Sequence, residues 1–361
     1  MNSLAVIVRA NSTEFAVYEN GIQVLDECVR HSNSELIALA DCGEEGYFRA
    51  LKALECVERA GVSPKKIDIA VSATAALLPA EPGAFLVTAD MLNFIRAQKQ
   101  VDDTLRLGAF TVWSVSEAIS DRYEVECLPV VVEATARGEL MPEATLSGLR
   151  EIERRPVFHA LSQRGAARSY AVTEKKKLED LGLIVAHLGS EISVGAHSNG
   201  RVIDCNSPLD GEGPFSPRTS GTLPTDALLR LCYSGKYDMD ELLRMVERKG
   251  GLMAHLGTGS LVDVAEAYSS GNPDVRFLVD AMAYKVAREI GARSAALCGK
   301  VDAILFTGPW ASFEEFTDAI RSYVEWIAPV RVYSWESELR SLAELAEQVF
   351  DGTETLKLSG G

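Results

Sequence analysis

The stretches LAVIVRANSTEFAVYENGIQVL (residues 4–25) and LIVAHLGSEISVGAHSNGRVID (residues 183–204) follow one pattern. Each reads as a strand, a polar turn, a second strand, an Asn-Gly turn and a third strand. An Asn-Gly pair between two β-type runs indicates a hairpin, because a type I′ turn needs a positive φ at both central residues. Asn20-Gly21 and Asn199-Gly200 occupy the same place in their stretches. The repeat predicts a duplicated fold with two similar lobes; the alternative is a chance similarity of two hairpins.

The sequence around these repeats alternates between short apolar runs, typical of strands, and longer runs with helical spacing. Strands are expected at residues 67–71, 129–132, 301–306 and 330–333, and helices at residues 47–57, 157–170, 274–297, 313–326 and 336–350. This alternation predicts an α/β fold in which helices cover mixed sheets. We therefore expect two lobes, residues 1–155 and 156–361, with the ligand in a cleft between them.

The composition describes a folded protein and excludes one class of partner. A chain of 361 residues is too long for one ordinary core, and 47% hydrophobic with 24% charged residues argues against disorder. The net charge of −16 repels a phosphate backbone, so we expect no nucleic-acid partner.

The distribution of apolar residues and cysteines favours a cytoplasmic protein. No apolar run reaches the ~18 residues that a membrane span needs, so we expect no membrane association. The N-terminus has no basic leader and reads as a strand. The seven cysteines form no C-x-x-C pair, which favours free thiols in a reducing cytoplasm over disulfides or a zinc site.

Several segments resemble the butyrate kinase family. The most distinctive is DGEGPFSP at residues 210–217, followed by GTLP at 221–224 and LCYSGKY at 231–237. Further similar segments are PVFHAL at 156–161, AHLG at 186–189, ISVGAH at 192–197, AMAY at 281–284 and, in the first half, AVYEN at 16–20, RHS at 30–32 and LGA at 107–109. The resemblance spans almost the whole chain.

This resemblance implies a fold and an activity. The fold is a pair of actin-like ATPase domains, each with a ribonuclease-H-like core. The reaction moves a phosphoryl group between ATP and a short-chain fatty acid carboxylate, butanoate to butanoyl phosphate, with Mg²⁺ as the metal. Such enzymes are similar to acetate kinases and form homodimers or larger homo-oligomers.

The first phosphate-binding turn of that family, Asn-Pro-Gly-Ser-Thr-Ser-Thr-Lys, aligns with residues 7–14, IVRANSTE. Ser12 and Thr13 keep their hydroxyl groups and are the candidate phosphate-binding residues here. Arg9 replaces the glycine that lets backbone approach phosphate, and Glu14 replaces the lysine. Arg9 either supplies part of the lost positive charge or points to solvent.

The second phosphate-binding turn, His-Leu-Gly-Gly-Gly in the family, reads His187-Leu188-Gly189-Ser190-Glu191. The resemblance implies that His187 stabilises the transferring phosphoryl group and that Gly189 contacts phosphate. The alternative for His187 is a structural histidine at a strand end. Glu191 places a carboxylate where phosphate is expected, and two like charges at ~4 Å repel by about 4 kcal/mol at an effective dielectric of 20. The repulsion disappears if Glu191 turns to water.

The remaining site residues are also assigned by resemblance. Candidates for substrate binding are Asp210, Gly211, Glu212 and Gly213; for catalysis, Arg218; for nucleotide binding, Thr307 and Gly308; and for magnesium, through water, Glu336. Arg218 stands beside Thr219, which occupies the position of a family arginine, and is otherwise a surface arginine. Glu336 is otherwise a carboxylate at a helix N-terminus.

Three further family positions have changed. Pro309 follows Thr307-Gly308 and removes a backbone donor. The acyl-site arginine is absent from residues 72–75, and Leu128 replaces an aspartate.

Three functions remain open. The first is a working kinase, with Arg9 or Arg218 compensating for the lost residues. The second is a catalytically inactive paralogue that binds a partner, such as a catalytic acyl kinase, or a small acidic metabolite. The third is an enzyme with changed chemistry in the same cleft. Charged residues are lost at several of the family's phosphate-binding and catalytic positions. This is the pattern expected when the fold is conserved but phosphoryl transfer is no longer needed.

Overall fold

The computed structural model describes residues 1–9, 11–39, 41–74, 83–97, 103–133, 139–154, 156–334 and 338–358. Contacts divide the chain into two compact units: Met1–Thr135 with Ser337–Gly361 form unit 1, and Ala136–Glu336 forms unit 2. These units do not coincide with lobes at 1–155 and 156–361. Residues 139–154 belong to the second unit, and the C-terminal helix belongs to the first.

Twelve strands and thirteen α-helices lie within the described ranges. The strands are β1 (Asn2–Arg9), β2 (Ser12–Glu19), β3 (Ile22–Arg30), β4 (Ile69–Thr74), β5 (Gly83–Leu86), β6 (Leu128–Glu133), β7 (Leu183–Leu188), β8 (Ile192–Ser198), β9 (Arg201–Cys205), β10 (Ala303–Thr307), β11 (Val330–Tyr333) and β12 (Leu356–Leu358). The helices are α1 (Asn33–Ile37), α2 (Cys42–Arg59), α3 (Ala89–Ala97), α4 (Asp103–Tyr123), α5 (Pro142–Thr145), α6 (Ala160–Glu174), α7 (Thr225–Cys232), α8 (Met239–Glu247), α9 (Gly251–Leu256), α10 (Leu261–Ser269), α11 (Pro273–Ala296), α12 (Glu314–Val324) and α13 (Glu338–Phe350).

Each unit is built on one mixed sheet. The strand order is β12-β5-β6-β4-β1-β2-β3 in unit 1 and β11-β10-β7-β8-β9 in unit 2. The first strand of each unit pairs antiparallel with the second, β1 with β2 and β7 with β8. It also pairs in parallel with a strand from further along the chain, β1 with β4 and β7 with β10. The expected α/β fold with a duplicated core is therefore confirmed.

The duplication extends to the details of the hairpins. Asn20 and Gly21 have φ of 51° and 77°, and Asn199 and Gly200 have φ of 52° and 72°, as a type I′ turn requires. Each hairpin also has a register irregularity, between Val17 and Tyr18 in unit 1 and between Ala196 and His197 in unit 2. The irregularity stands at the same distance before the Asn-Gly pair in both hairpins, so it recurs at the same place.

Helices cover both faces of β1. Leu4, Val6 and Val8 pack in a cluster with residues of α2 and α4. The residues that alternate with them, Ala5 and Ile7, are also buried, and α13 contacts β1, β2 and β4. The last helix of the chain therefore completes the core of unit 1.

The central strand of unit 2, β7, is buried along its whole length. Ile184, Ala186 and Leu188 belong to a cluster that includes side chains of α11 and α12, whereas Leu183 and Val185 pack with side chains of α6. The strand is thus buried on both faces and carries His187 near its carboxyl end.

Some predicted helix boundaries are wrong: α2 begins at Cys42 and not at residue 47, and α6 ends at Glu174 and not at residue 170. We expected a helix over residues 157–170, but α6 begins at Ala160. The backbone N–H groups of Val157 and His159 donate to the hydroxyls of Ser207 and Ser193. These bonds hold the preceding residues against other parts of unit 2, so the helix starts later. No helix within the described ranges is long and apolar enough to cross a membrane.

Candidate functional site

Two histidines stack face to face near the carboxyl end of β7. The ring centroids of His159 and His187 are 3.8 Å apart, and the ring planes differ by 10°. A Cβ at Gly189 would lie 2.7 Å from Nε2 of His187, and a Cβ at Gly308 would lie 3.0 Å from its Cε1. Side chains at either position would collide with the ring, so both glycines keep this edge of His187 open.

His159 is a site residue that sequence reasoning missed. It lies directly before α6, where its backbone φ of −80° and ψ of 63° are not helical. Its only sequence signal is the segment PVFHAL, which resembles the butyrate kinase family but indicates no ligand position. The contact with His187 joins two different elements of unit 2, and no local pattern in the sequence predicts it.

A buried chain of hydrogen bonds orients His159. Its Nδ1 is 2.9 Å from Oγ of Ser193, which also accepts a hydrogen bond from Nε2 of Gln163 at 2.9 Å. The amide oxygen of Gln163 lies 3.1 Å from Nε2 of His197, which must donate because that oxygen only accepts. Burial and then the charge of Arg164 lower the pKa of His197 to about 3, so its imidazole is neutral.

Glu191 turns towards the histidine pair. Its Oε2 lies 3.7 Å from Nε2 of His159, and its backbone carbonyl accepts a hydrogen bond of 3.2 Å from the N–H of Gly189. The carboxylate therefore contacts a histidine, which contradicts the alternative in which it simply faces water.

The segment that carries Arg218 is bonded to the same turn. The hydroxyl of Ser216 donates to the carbonyl of Ser190 at 2.6 Å, and the N–H of Arg218 donates to the same carbonyl at 3.1 Å. The Arg218 side chain is exposed, whereas Thr219 is fully buried. Unit 2 thus brings Arg218, Gly189, Gly308 and both histidines to one end of its sheet.

Thr307 lies beside His187 in the parallel register of β10 and β7. Its hydroxyl is buried and has no hydrogen-bond partner among the described residues. Leu4 and Leu183 begin the two sequence repeats, and they pair with Ala70 on β4 and Ala303 on β10. Ala70 and Ala303 are therefore equivalent, and so are Thr74 and Thr307, which lie equally far along the same two strands. The hydroxyl of Thr74 is likewise buried without a partner in the described part of the chain.

The predicted substrate-binding residues stabilise a loop. Both carboxylate oxygens of Glu212 accept hydrogen bonds of 2.8 Å from Arg154, and one also accepts from the N–H of Ser207. Burial opposes ionisation, but the hydrogen bonds and charge of Arg154 outweigh it and hold the pKa of Glu212 below its usual value. A Cβ at Gly213 would lie 2.5 Å from the Asn206 amide nitrogen.

The remaining two of these residues, Asp210 and Gly211, lie in the turn just before. A substrate role for all four residues stays a prediction.

The first of the two turns predicted to bind phosphate lies in unit 1. Arg9 does not point to solvent alone, because its guanidinium contacts Glu14 at 3.3 Å and Glu338 at 2.8 Å. Ser12 is half-buried, and its carbonyl accepts a hydrogen bond of 2.8 Å from the fully buried Arg49.

The hydroxyl of Thr13 faces the core of unit 1. It lies 2.9 Å from Nε2 of His31 and accepts a hydrogen bond of 3.1 Å from Arg49. Phosphate binding by Ser12 and Thr13 stays a prediction, and the Thr13 hydroxyl already has partners.

Glu336, the predicted magnesium ligand, lies outside the described residues. Within them, no group of three His, Cys, Asp or Glu side chains is placed to hold a metal ion. Nucleotide-linked magnesium is commonly held by only one or two carboxylates together with phosphates, so a role for Glu336 stays a prediction.

Comparison with known proteins indicates the family of this chain. Residues 147–324 match the model of the Acetokinase family. The chain is 40% identical over 349 residues to butyrate kinase 2 of Clostridium acetobutylicum, an alignment that covers 96% of each chain.

Solved structures support the same fold. The Porphyromonas gingivalis acetate kinase is similar with a TM-score of 0.75 at 16% identity, covering 97% of this chain and 99% of that one. A propionate kinase from Francisella tularensis has a TM-score of 0.74 at 15% identity, covering 95% and 98%. The expected actin-like ATPase type of fold is thereby confirmed. Because 40% identity extends over nearly the full length of a butyrate kinase, this chain belongs to the acetokinase family.

Proposed function

We propose that this protein is a short-chain carboxylate kinase that transfers a phosphoryl group between ATP and an acid of about the size of butanoate. The observation that carries the proposal is the histidine pair His159–His187 at the glycine-lined end of β7, in a chain that is 40% identical to a butyrate kinase. A cytoplasmic homo-oligomer is part of the same proposal.

The reaction needs positioning and charge stabilisation more than covalent help from the protein. A carboxylate oxygen of the acid forms a bond to the γ-phosphorus of ATP as the bond to the ADP oxygen breaks. The product is an acyl phosphate, and no net proton is taken up. Negative charge on the transferring phosphoryl oxygens is stabilised by nearby donors.

The chain's own residues supply such donors in unit 2. Nε2 of His159 is the ring nitrogen that Ser193 does not engage, although the Glu191 carboxylate lies 3.7 Å from it, and His187 stacks on the same ring. The exposed guanidinium of Arg218 extends from a segment that is bonded to the Gly189 turn. The hydroxyl of Thr307 offers a further donor beside His187. Magnesium, when bound with ATP, would neutralise phosphate charge.

The test is capture of acyl phosphate by hydroxylamine, with MgATP and acids of two to five carbons. We expect turnover, with His159→Ala and His187→Ala each lowering kcat by about 10²–10³. His255→Ala is the matched control, because His255 is an exposed histidine on α9. Binding of MgATP by calorimetry without any turnover would contradict the kinase and favour the inactive, partner-binding paralogue.

A further inference from the structure

One ring nitrogen of His159 is left to meet a ligand. Oγ of Ser193 accepts hydrogen bonds from the Gln163 amide and the His159 backbone N–H, so its own hydrogen is donated to Nδ1 of His159. Nε2 is therefore the ring nitrogen that carries a proton. Any phosphoryl oxygen that binds the ring of His159 must do so at Nε2.

Glu191 faces this same atom. Its Oε2 is 3.7 Å from Nε2 of His159, and its side chain is only 33% exposed. The backbone bond between Gly189 and Glu191 closes the turn, and the bonds from Ser216 and Arg218 to Ser190 fix the turn from the other side. These bonds fix the backbone from which the Glu191 carboxylate reaches towards the donor.

A carboxylate and a phosphoryl oxygen carry the same charge and seek the same donor. They cannot both approach Nε2 closely, because two negative charges repel strongly in a partly buried site. Binding of a phosphoryl group then requires Glu191 to move away, at a cost that grows with the charge of the ligand.

We infer that Glu191 is a specificity-determining residue, whose carboxylate competes with phosphoryl oxygens for Nε2 of His159 and so weakens the binding of strongly anionic ligands. The site then discriminates among phosphate compounds by charge, and an acyl phosphate with its single phosphoryl group is disfavoured less than a triphosphate that carries no magnesium. This inference rests on the proposed function in taking a phosphoryl compound as the ligand.

The test is calorimetric titration of inorganic phosphate and of ATP without magnesium into the full chain and two variants that each replace one carboxylate by an amide. Glu191→Gln keeps the side-chain shape, and we expect about tenfold tighter phosphate binding and a larger gain for the more highly charged ATP. Glu179→Gln is the control. It removes the same charge from an exposed residue that lies just before the start of β7, at the end of the strand away from the histidine pair. The affinities of this variant for both ligands should stay within about twofold of the wild type.

A second variant separates competition at His159 from a general charge effect. In the Glu191→Gln background, His159→Ala should abolish the gain in phosphate affinity, because the donor is gone. Equal affinity in the wild type and Glu191→Gln, or a gain that survives His159→Ala, overturns the inference. Neither result depends on turnover. If the chain has no kinase activity but Glu191→Gln still binds phosphate more tightly, the proposed function is rejected and this inference stands.

Discussion

Three buried threonines illustrate how a hydroxyl group depends on its surroundings. Thr74 and Thr307 end equivalent strands, and their hydroxyls lack partners among the described residues. Thr13, on β2, is bonded to His31 and Arg49. Removing an unpaired buried hydroxyl relieves a desolvation cost, whereas removing a paired one leaves other groups unsatisfied.

The same substitution should therefore have opposite effects at two sites. We expect Thr307→Val to raise the free energy of unfolding by about 1 kcal/mol or less, and Thr13→Val to lower it by about 1–3 kcal/mol because buried Arg49 loses an acceptor. Urea denaturation measures both. Equal changes of the same sign would contradict this account. If the hydroxyl of Thr307 serves a nucleotide, the stabilised variant should also bind MgATP more weakly.

The buried imidazole of His197 should make stability depend on pH. Burial holds its pKa at about 3 in the folded chain, below the ordinary value of 6.5. The unfolded chain therefore binds an extra proton between these values, and stability is fully present above pH 6.5 and falls as the pH drops towards 3. The expected contribution to the slope is about 1.4 kcal/mol per pH unit.

Urea denaturation of the wild type and His197→Gln between pH 7 and 4 measures this contribution. The variant should be less stable near pH 7 but should lose that part of the slope. An unchanged slope would show that other groups dominate acid sensitivity.

At the scale of elements, the loop after β9 is held by hydrogen bonds of Arg154, Glu212 and Asn206 to each other's segments and to β8. Arg154 bonds Glu212 and the backbone carbonyl of Cys205, and Asn206 bonds the backbone on both sides, at Val194 and Glu212. The family-like segment at residues 210–217 therefore begins with residues that anchor the loop. Such anchoring positions Ser216 and Arg218 against the turn after β7.

The pair of Arg154 and Glu212 should couple strongly. Arg154→Met leaves a half-buried carboxylate without its partner, and we expect a loss of about 2 kcal/mol in the free energy of unfolding. Glu212→Gln in the same chain should recover part of that loss because the uncompensated charge is gone. A double-mutant cycle in urea measures the coupling, and additive single effects would contradict it. Arg230→Met is the control, since its ion pair with Asp226 is exposed.

At the scale of the whole molecule, the chain returns to unit 1 at its end. Leu342 on α13 is fully buried, and α13 contacts β1, β2 and β4. The C-terminal helix is therefore part of the first core, although α13 and β1 lie near opposite ends of the chain and all of unit 2 is inserted between them.

This organisation predicts which strands a core substitution in α13 will destabilise. Leu342→Ala should cost about 2–5 kcal/mol through lost burial and a residual cavity. Hydrogen exchange followed by mass spectrometry should show faster exchange in β1 and β4, with β7 and β10 close to the wild type. Arg340→Ala, an exposed change on the same helix, is the control. Faster exchange spread equally over both units would contradict the division.

Much of the fold follows from local sequence signals. The Asn-Gly pairs adopt the positive φ angles that their chemistry favours, and the strands expected at residues 67–71, 129–132 and 330–333 are found with small shifts. The helix after Pro156 was placed too early because hydroxyls of Ser193 and Ser207, distant in sequence, take the backbone N–H groups. Periodicity cannot report such long-range partners.

By itself, the sequence determined the duplicated hairpins and the α/β class, because turn chemistry and residue spacing act between near neighbours, and the resemblance of its segments indicated the family. Tertiary structure alone decided that His159 stacks on His187, that Glu191 faces His159, and that α13 completes unit 1. These contacts depend on strand register and on loops bonded across the unit. Residues that are far apart along the chain meet only when the sheets have formed.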